Sequence, residues 1–546
     1  MTVSAIVVDL LEEAGVRRCY TVPGESFLEI LDAVEQHAGL SLISARHESG
    51  ASFMAEADAK LTGVPAVAMA TRGVGASNLA IGVHTARQDS TPMVVLLGQV
   101  ETTFLGREAF QEVDLPDFYR QITKWSATVH RADRLPEFVA RALHIATTGR
   151  PGPVMLALPA DILGEDVGSP ERRLSGASRA SPAPTSRDVQ ELARRILGAK
   201  RPVVIAGGGT RDAREELISF VDAFGVGVYT SFRRQDHFPN DHPNYLGHLT
   251  LGTPPATLKA LEEADLVFVV GCRLSEVTTQ SYTLPRPGQA VIQVDIDPDV
   301  VGAVVPVELG IVASAQETLA ALVSLAPSSG PEHDWHEAHG AYLQSSAIPE
   351  SRSENGVDPA RVVAAMREVL PTDTVLTNDA GNFSAFLHRY WRYTHPKTQL
   401  APTSGAMGYG VPAALAAKTA APDRRVVAVA GDGGFMMTGQ ELETAVRYGV
   451  DILVVVFKNG MHGTIAMHQM HSVGRTAGTE IGHIDLATYA SSLGAQGWSV
   501  SDEDDLDEVL RESLEAERPA LVEVVTDPDL ITPTSRLSEL GKAATG

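Results

Sequence analysis

Short apolar runs alternate with amphipathic segments along most of the chain. The runs at residues 65–70, 93–98, 266–270 and 426–430 are rich in valine, leucine or alanine and are bounded by glycine, proline or polar residues. Continuous runs of this kind are typical of strands buried on both faces of a parallel sheet. The segments between them carry apolar residues at helical spacing. The alternation predicts an α/β fold class built from doubly wound parallel sheets.

Two stretches of weak periodicity divide the chain. Residues 164–186 are rich in serine, alanine, proline and glycine, which is typical of a linker, and residues 327–357 are similarly loose. A chain of 546 residues is also too long for a single core. We therefore predict three α/β domains and a C-terminal tail, at residues 1–165, 187–327, 358–527 and 528–546.

The composition is that of an ordinary globular protein, with 44% hydrophobic residues and a mean hydropathy near zero. The net charge of −24 argues against nucleic acid and anionic membranes as partners. Cys19 and Cys272 are too few for a disulfide framework or a zinc site, which favours a reducing compartment. We expect no signal peptide and no membrane span, because no basic segment opens the chain and no long apolar run follows. The expected location is cytoplasmic.

The third block contains the most informative motif. A predicted strand at residues 426–430 leads into Gly431-Asp432-Gly433-Gly434 and a helical pattern that continues through Tyr448; a second strand, residues 452–457, ends at Lys458-Asn459-Gly460. This is a βαβ unit, so the polar groups after its two strands converge at one edge of the sheet. One carboxylate and one amide oxygen suit Mg²⁺, and glycines at a helix N-terminus suit phosphate groups. Taken alone, the glycine turn could be a plain strand–helix connection.

The whole arrangement resembles the Mg²⁺–diphosphate motif of thiamine diphosphate enzymes, in which a GDG turn is followed by paired asparagines. Lys458 replaces the first asparagine, and Asn459 keeps the second. The chain is most similar to the acetolactate synthase-like and 2-oxoacid decarboxylase–carboligase members. Their pyrimidine-binding, central and diphosphate-binding domains match the three predicted blocks in order. The resemblance implies thiamine diphosphate and Mg²⁺ as cofactors.

The resemblance also assigns roles to individual residues. Glu48, in a segment similar to the one that carries the activating glutamate of the family, is expected to bind the aminopyrimidine ring; taken alone, it would be a solvated helix-start carboxylate. Met407 is expected to lie under the cofactor as a hydrophobic wedge. The implied catalytic residues are Glu48, Gln111 and His47, and capping of the helix is the alternative role for His47. The implied metal ligands are Asp432, Asn459 and the backbone carbonyl of Met461. The implied substrate pocket consists of Phe110, Gln111, Ile465 and His468. The implied cofactor contacts are Gly24, Glu48, Asn78, Asp379, Gly381, Asn382, Phe383, Gly405, Met407, Gly431, Asp432, Gly433, Gly434, Asn459, Met461, His462, Gly463 and Ile465.

The implied reaction is decarboxylation of a 2-oxo acid, or formation or cleavage of a C–C bond, through a C2 carbanion and an enamine. The substrates would be a 2-oxo acid, an aldehyde or a hydroxy ketone. Ala160 and His468 stand where acetolactate synthases have a lysine and a tryptophan, so the resemblance does not name the substrate. Because Glu48 and Asp432 lie in different domains, we expect a homodimer or homotetramer with sites between subunits.

The central block leaves two alternatives open. Its glycine turns, Gly207-Gly208-Gly209 and Gly271-Cys272-Arg273, lie where acetolactate synthases hold FAD. FAD is a weaker expectation than thiamine diphosphate, because GGG is not the G-x-G-x-x-G pattern of dinucleotide sites. A flavin- or nicotinamide-dependent oxidoreductase is therefore one alternative. A non-catalytic scaffold with the same fold is the other, since Lys458 departs from the motif.

Overall fold

Three six-stranded sheets, each of them entirely parallel, form the frame of the protein. The computed structural model describes residues 1–168, 181–328 and 333–543. Each sheet is flanked by helices, and the predicted fold class is confirmed. Residues 169–180, 329–332 and 544–546 lie outside the described residues. They belong to the two predicted connecting stretches and to the tail.

The first sheet lies in the N-terminal block. Its strands are β1 (Arg18–Thr21), β2 (Ser41–Ser44), β3 (Ala66–Ala70), β4 (Met93–Gln99), β5 (Trp125–Thr128) and β6 (Pro153–Pro159). Its helices are α1 (Val3–Glu13), α2 (Leu28–Glu35), α3 (Glu48–Thr62), α4 (Gly73–Asp89), α5 (Leu115–Tyr119), α6 (Leu135–Thr147) and α7 (Ala160–Leu163). The strand order is β2-β1-β3-β4-β6-β5, with the fully buried strands β3 and β4 at its centre.

The second sheet forms the central block. Its strands are β7 (Pro202–Ala206), β8 (Gly227–Thr230), β9 (Tyr245–His248), β10 (Leu266–Val270), β11 (Ala290–Asp295) and β12 (Leu309–Val312). Its helices are α8 (Ser186–Gly198), α9 (Arg214–Phe224), α10 (Pro255–Glu262), α11 (Ala315–Val323) and α12 (His336–Ser345). The strand order is β12-β11-β10-β7-β8-β9.

The third sheet and the tail complete the chain. The strands are β13 (Val375–Asn378), β14 (Gln399–Leu400), β15 (Val426–Gly431), β16 (Leu453–Lys458), β17 (Gln496–Val500) and β18 (Ala520–Val525), in the order β14-β13-β15-β16-β18-β17. The tail adds an antiparallel pair, β19 (Leu530–Thr532) and β20 (Ser535–Arg536). The helices are α13 (Pro359–Val369), α14 (Phe383–Tyr390), α15 (Gly410–Ala420), α16 (Asp432–Thr438), α17 (Glu441–Tyr448), α18 (Gly463–Val473), α19 (Leu486–Ser492), α20 (Leu506–Leu514) and α21 (Leu537–Ala543).

The helix predicted to run from the glycine turn through Tyr448 is in fact two helices, α16 and α17. The break falls at Gly439, where a Cβ atom would lie 2.8 Å from the ring of Phe435. The break redirects the chain so that Glu441, at the start of α17, faces the first block, where it accepts hydrogen bonds from backbone N–H groups. A continuous helical pattern in the sequence does not reveal this change of direction.

The first and third blocks share one hydrophobic core. Helices α3 and α15 are both rich in alanine and are buried along most of their length, so they can approach each other closely. Phe53 of α3 packs edge-on against Tyr409, which precedes α15, with ring centroids 5.5 Å apart. The start of α3, which carries Glu48, is therefore fixed relative to the third sheet.

A buried ion network joins all three blocks. Asp89, at the end of α4, pairs with Lys60 at 3.0 Å and with Arg234 of the central block at 2.7 Å. It also accepts a hydrogen bond from Thr403 Oγ1 of the third block at 2.8 Å. Burial alone would raise the pKa of Asp89, but the charges of Lys60 and Arg234 outweigh it and hold the pKa below its usual range.

No helix of the described residues is long and apolar enough to cross a membrane.

Two histidines are buried where the central block meets the third. His237 Nδ1 lies 3.2 Å from Thr210 Oγ1, and His248 Nδ1 lies 3.2 Å from Gln235 Nε2. Burial lowers the pKa of each imidazole to about 4, so both rings are neutral at pH 7.

These histidines predict acid sensitivity. A ring whose pKa is lowered on folding contributes stability that is present above pH 6.5 and is lost as the pH falls towards 4. We expect the free energy of unfolding of His248→Gln, relative to that of the wild type, to rise by about 3 kcal/mol as the pH falls through this window. Denaturant unfolding at a series of pH values measures both free energies. Exposed His144→Gln is the matched control, and an unchanged pH dependence in His248→Gln would contradict the prediction.

Candidate functional site

The candidate site has one half in the third block, where β15 and β16 end side by side. The two strands pair in parallel with Gly431 opposite Phe457, so Asp432 and Asn459 follow neighbouring strand ends. Asp432 Oδ2 accepts a hydrogen bond from the N–H of Gly460 at 2.8 Å, and Asn459 Oδ1 accepts one from the N–H of Met461 at 3.1 Å. One carboxylate and one amide thus belong to a single cluster of turns.

The donor set at these turns fits a hard divalent cation. Asp432 is almost completely buried, and burial raises the pKa of its carboxyl, against the opposing effects of the Gly460 and Gly433 N–H groups and of Lys458. A divalent ion would stabilise the ionised form of this carboxylate. Among the described residues, no group of three or more His, Cys, Asp or Glu side chains is placed to hold a metal ion. Asp432 and Asn459 suit an ion that completes its shell with backbone and phosphate oxygens.

Two glycines at the start of α16 let neighbouring side chains approach its backbone closely. A Cβ atom at Gly433 would lie 2.9 Å from His462 Nδ1, and one at Gly434 would lie 2.3 Å from Asp379 Oδ2. Burial raises the pKa of Asp379 to about 6, opposed by N–H groups of the turn that precedes α15. Its Oδ2 has no hydrogen-bond partner among the described residues. The Asp379 side chain thus lies between two predicted cofactor segments, residues 405–410 and 431–434.

Helix α18 is attached to the segment that precedes α14. Asn382 Oδ1 accepts a hydrogen bond from Thr464 Oγ1 at 2.9 Å, and Asn382 Nδ2 lies 3.6 Å from the sulfur of Met467. Phe383 packs against Phe457 and against the position where Gly431 would carry a Cβ atom. A Cβ atom at Gly381 would in turn lie 2.7 Å from the Phe383 ring. Asn382 and Phe383 therefore connect α18 to the end of β15.

Lys458 makes a buried ion pair that the sequence did not reveal. Its Nζ lies 3.0 Å from Glu523 Oε1 and donates to the carbonyl of Ile484, while Glu523 Oε2 accepts the N–H of Leu486 at 2.7 Å. The Lys458–Glu523 pair thus holds the segment that precedes α19.

That segment pairs directly with the predicted metal loop. The N–H of His462 donates to Thr479 at 2.7 Å, and the N–H of Ile481 donates to Gly460 at 2.9 Å. Lys458 therefore supports the loop that carries Asn459, although it does not reproduce the missing asparagine.

The other half of the site lies at the carboxyl edge of the first sheet. Glu48 begins α3, after β2, and its Oε2 accepts a hydrogen bond from Asn78 Nδ2 at 2.9 Å. A Cβ atom at Gly75 would lie 3.1 Å from Glu48 Oε1, and one at Gly24 would lie 2.6 Å from the Thr71 side chain. The glycine at position 75 therefore accommodates the carboxylate of Glu48, whose side chain is half-buried, while Gly24 allows close packing of the segments that follow β1 and β3.

His47 and Glu441 fix the start of α3. His47 Nδ1 accepts the N–H of Ser49 at 3.1 Å and caps the helix, which is a structural role. Glu441 Oε1 accepts the N–H groups of Arg46 and His47, at 3.0 and 3.1 Å. Burial raises the pKa of Glu441, although these donors oppose the change. Glu441 was not predicted from the sequence, because its partners lie more than 390 residues away and leave no local signal.

The predicted substrate-pocket residues are the most open part of the site. Phe110 is 74% exposed and Ile465 is 52% exposed, and His468 is also exposed. Gln111 has a positive φ of 63°, and its buried Oε1 has no partner among the described residues. Met407 is half-buried, and Gly405 is exposed on the turn that precedes it.

In the described part of the chain, the two halves are not bonded to each other. Among the described residues, no hydrogen bond or ion pair joins Glu48 or Asn78 to the metal-loop half. Large apolar side chains are exposed in or next to the elements that carry each half. They are Leu28, Val74, Ile81, Phe104, Phe110, Val113 and Phe118 in the first block, and Met436, Met437, Ile465 and Val473 in the third.

A cavity of about 600 Å³ lies between the three blocks, lined by both glycine turns of the central block and by Asp89, Arg234 and Thr403. The glycines have a packing explanation. A Cβ atom at Gly207 would lie 2.2 Å from the Gly271 carbonyl oxygen, and one at Gly209 would lie 2.8 Å from Gly271 Cα. Close contact between two strand ends thus requires these glycines whatever the cavity binds. FAD in this cavity stays a weaker expectation than thiamine diphosphate, as the sequence indicated.

Three protein-family models match the chain in order. They are described as the N-terminal TPP binding domain, the central domain and the C-terminal TPP binding domain of thiamine pyrophosphate enzymes, and they match residues 1–118, 189–322 and 379–524.

The chain is also similar, over nearly its whole length, to acetolactate synthase large subunits. It is 32% identical to the isozyme 3 large subunit of Escherichia coli (strain K12), over 94% of this chain and 92% of that protein. Identity is 31% to the large subunit of Corynebacterium glutamicum, over 97% and 87% of the two chains. The chain is 30% identical to the large subunit of Haemophilus influenzae, over 93% of this chain and 91% of that protein.

The Lys458–Glu523 pair gives a prediction for metal binding. Lys458→Met would leave the buried Glu523 carboxylate without its counter-charge and would release the segment behind the metal loop. We expect a loss of about 3–5 kcal/mol in the free energy of unfolding. We also expect Mg²⁺ affinity to fall roughly 10- to 100-fold, as is typical when a group that supports a metal ligand is removed.

Calorimetric titration with Mg²⁺ in the presence of thiamine diphosphate measures the affinity, and denaturant unfolding measures the stability. The control is the double variant Lys458→Met/Glu523→Met, which removes both charges and should recover most of the stability. Wild-type Mg²⁺ affinity in Lys458→Met would show that the pair does not support the metal loop.

Proposed function

Because the chain belongs to the thiamine pyrophosphate enzyme family, we propose that it is a thiamine diphosphate- and Mg²⁺-dependent decarboxylase–carboligase that acts on a 2-oxo acid. The acetolactate synthase large subunits that resemble it over nearly their whole length support this reaction class. The observation that carries the proposal is the meeting of Asp432 and Asn459 in adjacent turns beside the Gly433–Gly434 cradle. Neither alternative, an oxidoreductase or an inert scaffold, accounts for this arrangement.

In this proposal the third block holds the diphosphate and the metal. Asp432, Asn459 and the carbonyl of Met461 would bind Mg²⁺, and the N–H groups at the start of α16 would bind phosphate oxygens. The positive end of a helix favours the negative charge there. Asn382 and Phe383 would keep α18 beside the diphosphate, and Met407 would pack under the cofactor.

The first block would hold the aminopyrimidine end. Glu48 would hydrogen-bond the ring, and Asn78 orients the Glu48 carboxylate through the 2.9 Å bond. When bound, thiamine diphosphate supplies a carbanion centre and an electron sink for a carbonyl substrate. Gln111 could donate to the substrate from its amide nitrogen, and His462 and His468 are candidates for moving protons. His47 would act on Glu48 through the helix start rather than on the substrate.

We further propose that the complete site forms between two copies of the chain. In one chain the two halves are not bonded to each other, and each lies among exposed apolar side chains that a partner would cover. A twofold dimer would bring the first block of one copy against the third block of the other, twice. A homodimer, or a homotetramer made of two such dimers, satisfies this arrangement.

The reaction class is tested with a panel of 2-oxo acids, by measuring CO₂ and hydroxy ketone products. We expect turnover that requires thiamine diphosphate and Mg²⁺, and we expect Glu48→Gln to reduce it roughly 10²- to 10⁴-fold, the usual range for an acid–base group. Glu137→Gln, in an exposed ion pair of the same block, is the control. Absence of thiamine diphosphate binding by calorimetry, or full activity of Glu48→Gln, would refute the proposal.

The shared site is tested by mixing two inactive variants, Glu48→Gln and Asp432→Asn, through coexpression. If each site uses Glu48 of one copy and Asp432 of the other, every mixed dimer contains one intact site. Random pairing should then restore about a quarter of the wild-type activity. If both residues come from the same copy, no intact site forms and no activity returns. Sedimentation of the wild type should show a dimer or tetramer, and an active monomer would contradict the arrangement.

A further inference from the structure

Arg72 is a cation at the predicted substrate-facing edge of the first sheet. It follows β3 and immediately precedes α4, so it shares this edge with Glu25 after β1, Glu48 after β2 and Phe110 after β4. The segment from Arg72 to Gly75, at the start of α4, lies between Gln111 and Glu48 of the predicted site. A Cβ atom at Gly73 would lie 2.7 Å from the Gln111 carbonyl oxygen, and one at Gly75 would lie 3.1 Å from the Glu48 carboxylate.

The guanidinium of Arg72 is held in place but has few partners. Its Nη2 donates to Glu25 Oε1 at 2.8 Å, and its carbon lies 5.9 Å from the centre of the Phe110 ring. Glu25 is its only carboxylate partner among the described residues, and its buried Nε has no partner there. The Arg72 side chain is 13% exposed, whereas that of Glu25 is 63% exposed and therefore well solvated. Such an exposed partner contributes little to stability.

A guanidinium with unused N–H capacity suits a planar anion, because it can bind a carboxylate through two parallel hydrogen bonds. Gln111, the neighbour of Phe110, also has a buried oxygen without a partner, so both residues on this edge have unused hydrogen-bonding capacity. Close packing at Gly73 and Gly75 places the segment that follows Arg72 against Gln111 and Glu48.

The proposed reaction limits which carboxylate Arg72 can bind. A cation that pairs with the carboxylate to be lost as CO₂ would stabilise the ground state more than the transition state, because the negative charge leaves that group during the step. A carboxylate that remains throughout the reaction carries no such penalty. Two sources have this chemistry: the carboxylate of the acceptor, and a second, distal carboxylate of the donor.

We propose that Arg72 is a specificity-determining residue that binds a substrate carboxylate retained through the reaction, with Glu25 and Phe110 holding its guanidinium in position. This inference rests on the proposed decarboxylase–carboligase function. It makes the accepted substrate an anion, either a carboxylate-bearing acceptor or a dicarboxylic 2-oxo acid donor.

The test compares substrates that differ in one carboxylate. For the acceptor, with pyruvate as donor, glyoxylate is compared with acetaldehyde, which has a methyl group in place of the carboxylate. For the donor, 2-oxoglutarate is compared with 2-oxopentanoate, which lacks the distal carboxylate. For each pair we take the ratio of kcat/KM for the charged substrate to kcat/KM for the neutral one. We expect Arg72→Gln to lower this ratio in one pair by roughly 10- to 100-fold, mainly by raising KM for the charged substrate. The affected pair identifies the source.

Three further variants separate recognition from a structural role. Arg72→Lys keeps the charge but loses the planar fork, so it should recover part of the ratio. Glu25→Gln removes the charge that positions the guanidinium but leaves the cation, so it should lower the ratio less than Arg72→Gln does. Arg134→Gln, in an exposed pair with Glu137, should leave it unchanged. Binding of unreactive oxamate, measured by calorimetry, should weaken in Arg72→Gln if the acceptor pair is affected and stay unchanged if the donor pair is affected.

Two outcomes would overturn the inference. In the first, Arg72→Gln leaves the ratio unchanged in both pairs. In the second, Arg72→Gln and Glu25→Gln both reduce kcat/KM equally for charged and neutral substrates. Neither outcome affects the proposed function, whose tests use no variant of Arg72 or Glu25. If the wild type binds thiamine diphosphate and releases CO₂ but Arg72→Gln keeps its ratios, only the role of Arg72 fails.

Discussion

The buried carboxylate of Asp89 is the contact on which the arrangement of the three blocks depends. It receives a cation from the first block, a cation from the central block and a hydroxyl from the third, and its own side chain has essentially no solvent contact. A buried charge is costly unless its partners are complete, so this set of contacts specifies one relative placement of the blocks. Lys60 extends the network by pairing with Glu56, which accepts the hydroxyl of Tyr409. The polar network and the α3–α15 core therefore reinforce each other.

This junction also positions the segments predicted to bind the cofactor. Thr403 belongs to the turn that leads to Met407, and the hydroxyl of the next residue, Ser404, lies 3.0 Å from Thr85 Oγ1 of α4. On the other side, the start of α3 is held by Glu441 of the third block. Each half-site is thus braced by residues from another block, although the two halves are not bonded together in one chain. Rigid placement of this kind is what a site shared between two copies would need, because small displacements of reacting groups reduce the rate strongly.

Local pattern made much of the fold predictable. Strands buried on both faces, such as β4 and β15, are plain apolar runs, and the strand–glycine–helix–strand pattern places Asp432 near Asn459 without knowledge of the rest of the chain. Features that depend on distant contacts were not predictable. The break at Gly439 and the bonds of Glu441 to a segment more than 390 residues away have no local signature. Edge strand β5 is only partly buried along its length, so its pattern is weak. The glycines at 207 and 209 were ambiguous, because close packing and ligand binding both require the absence of a Cβ atom.

Two basic residues at strand ends show why sequence alone could not assign the site. Lys458 ends a buried strand and Arg72 follows one, and each lies beside a predicted cofactor segment. Lys458 is paired with the carboxylate of Glu523, which is 4% exposed and also accepts hydrogen bonds from Leu486 and Ser499. The charge of Lys458 is therefore already neutralised within the fold. Arg72 has a solvated partner and a guanidinium N–H without an acceptor, so its charge remains available. Burial and completeness of the partners, which only the folded chain provides, separate a cation that supports the metal loop from one that can bind a substrate.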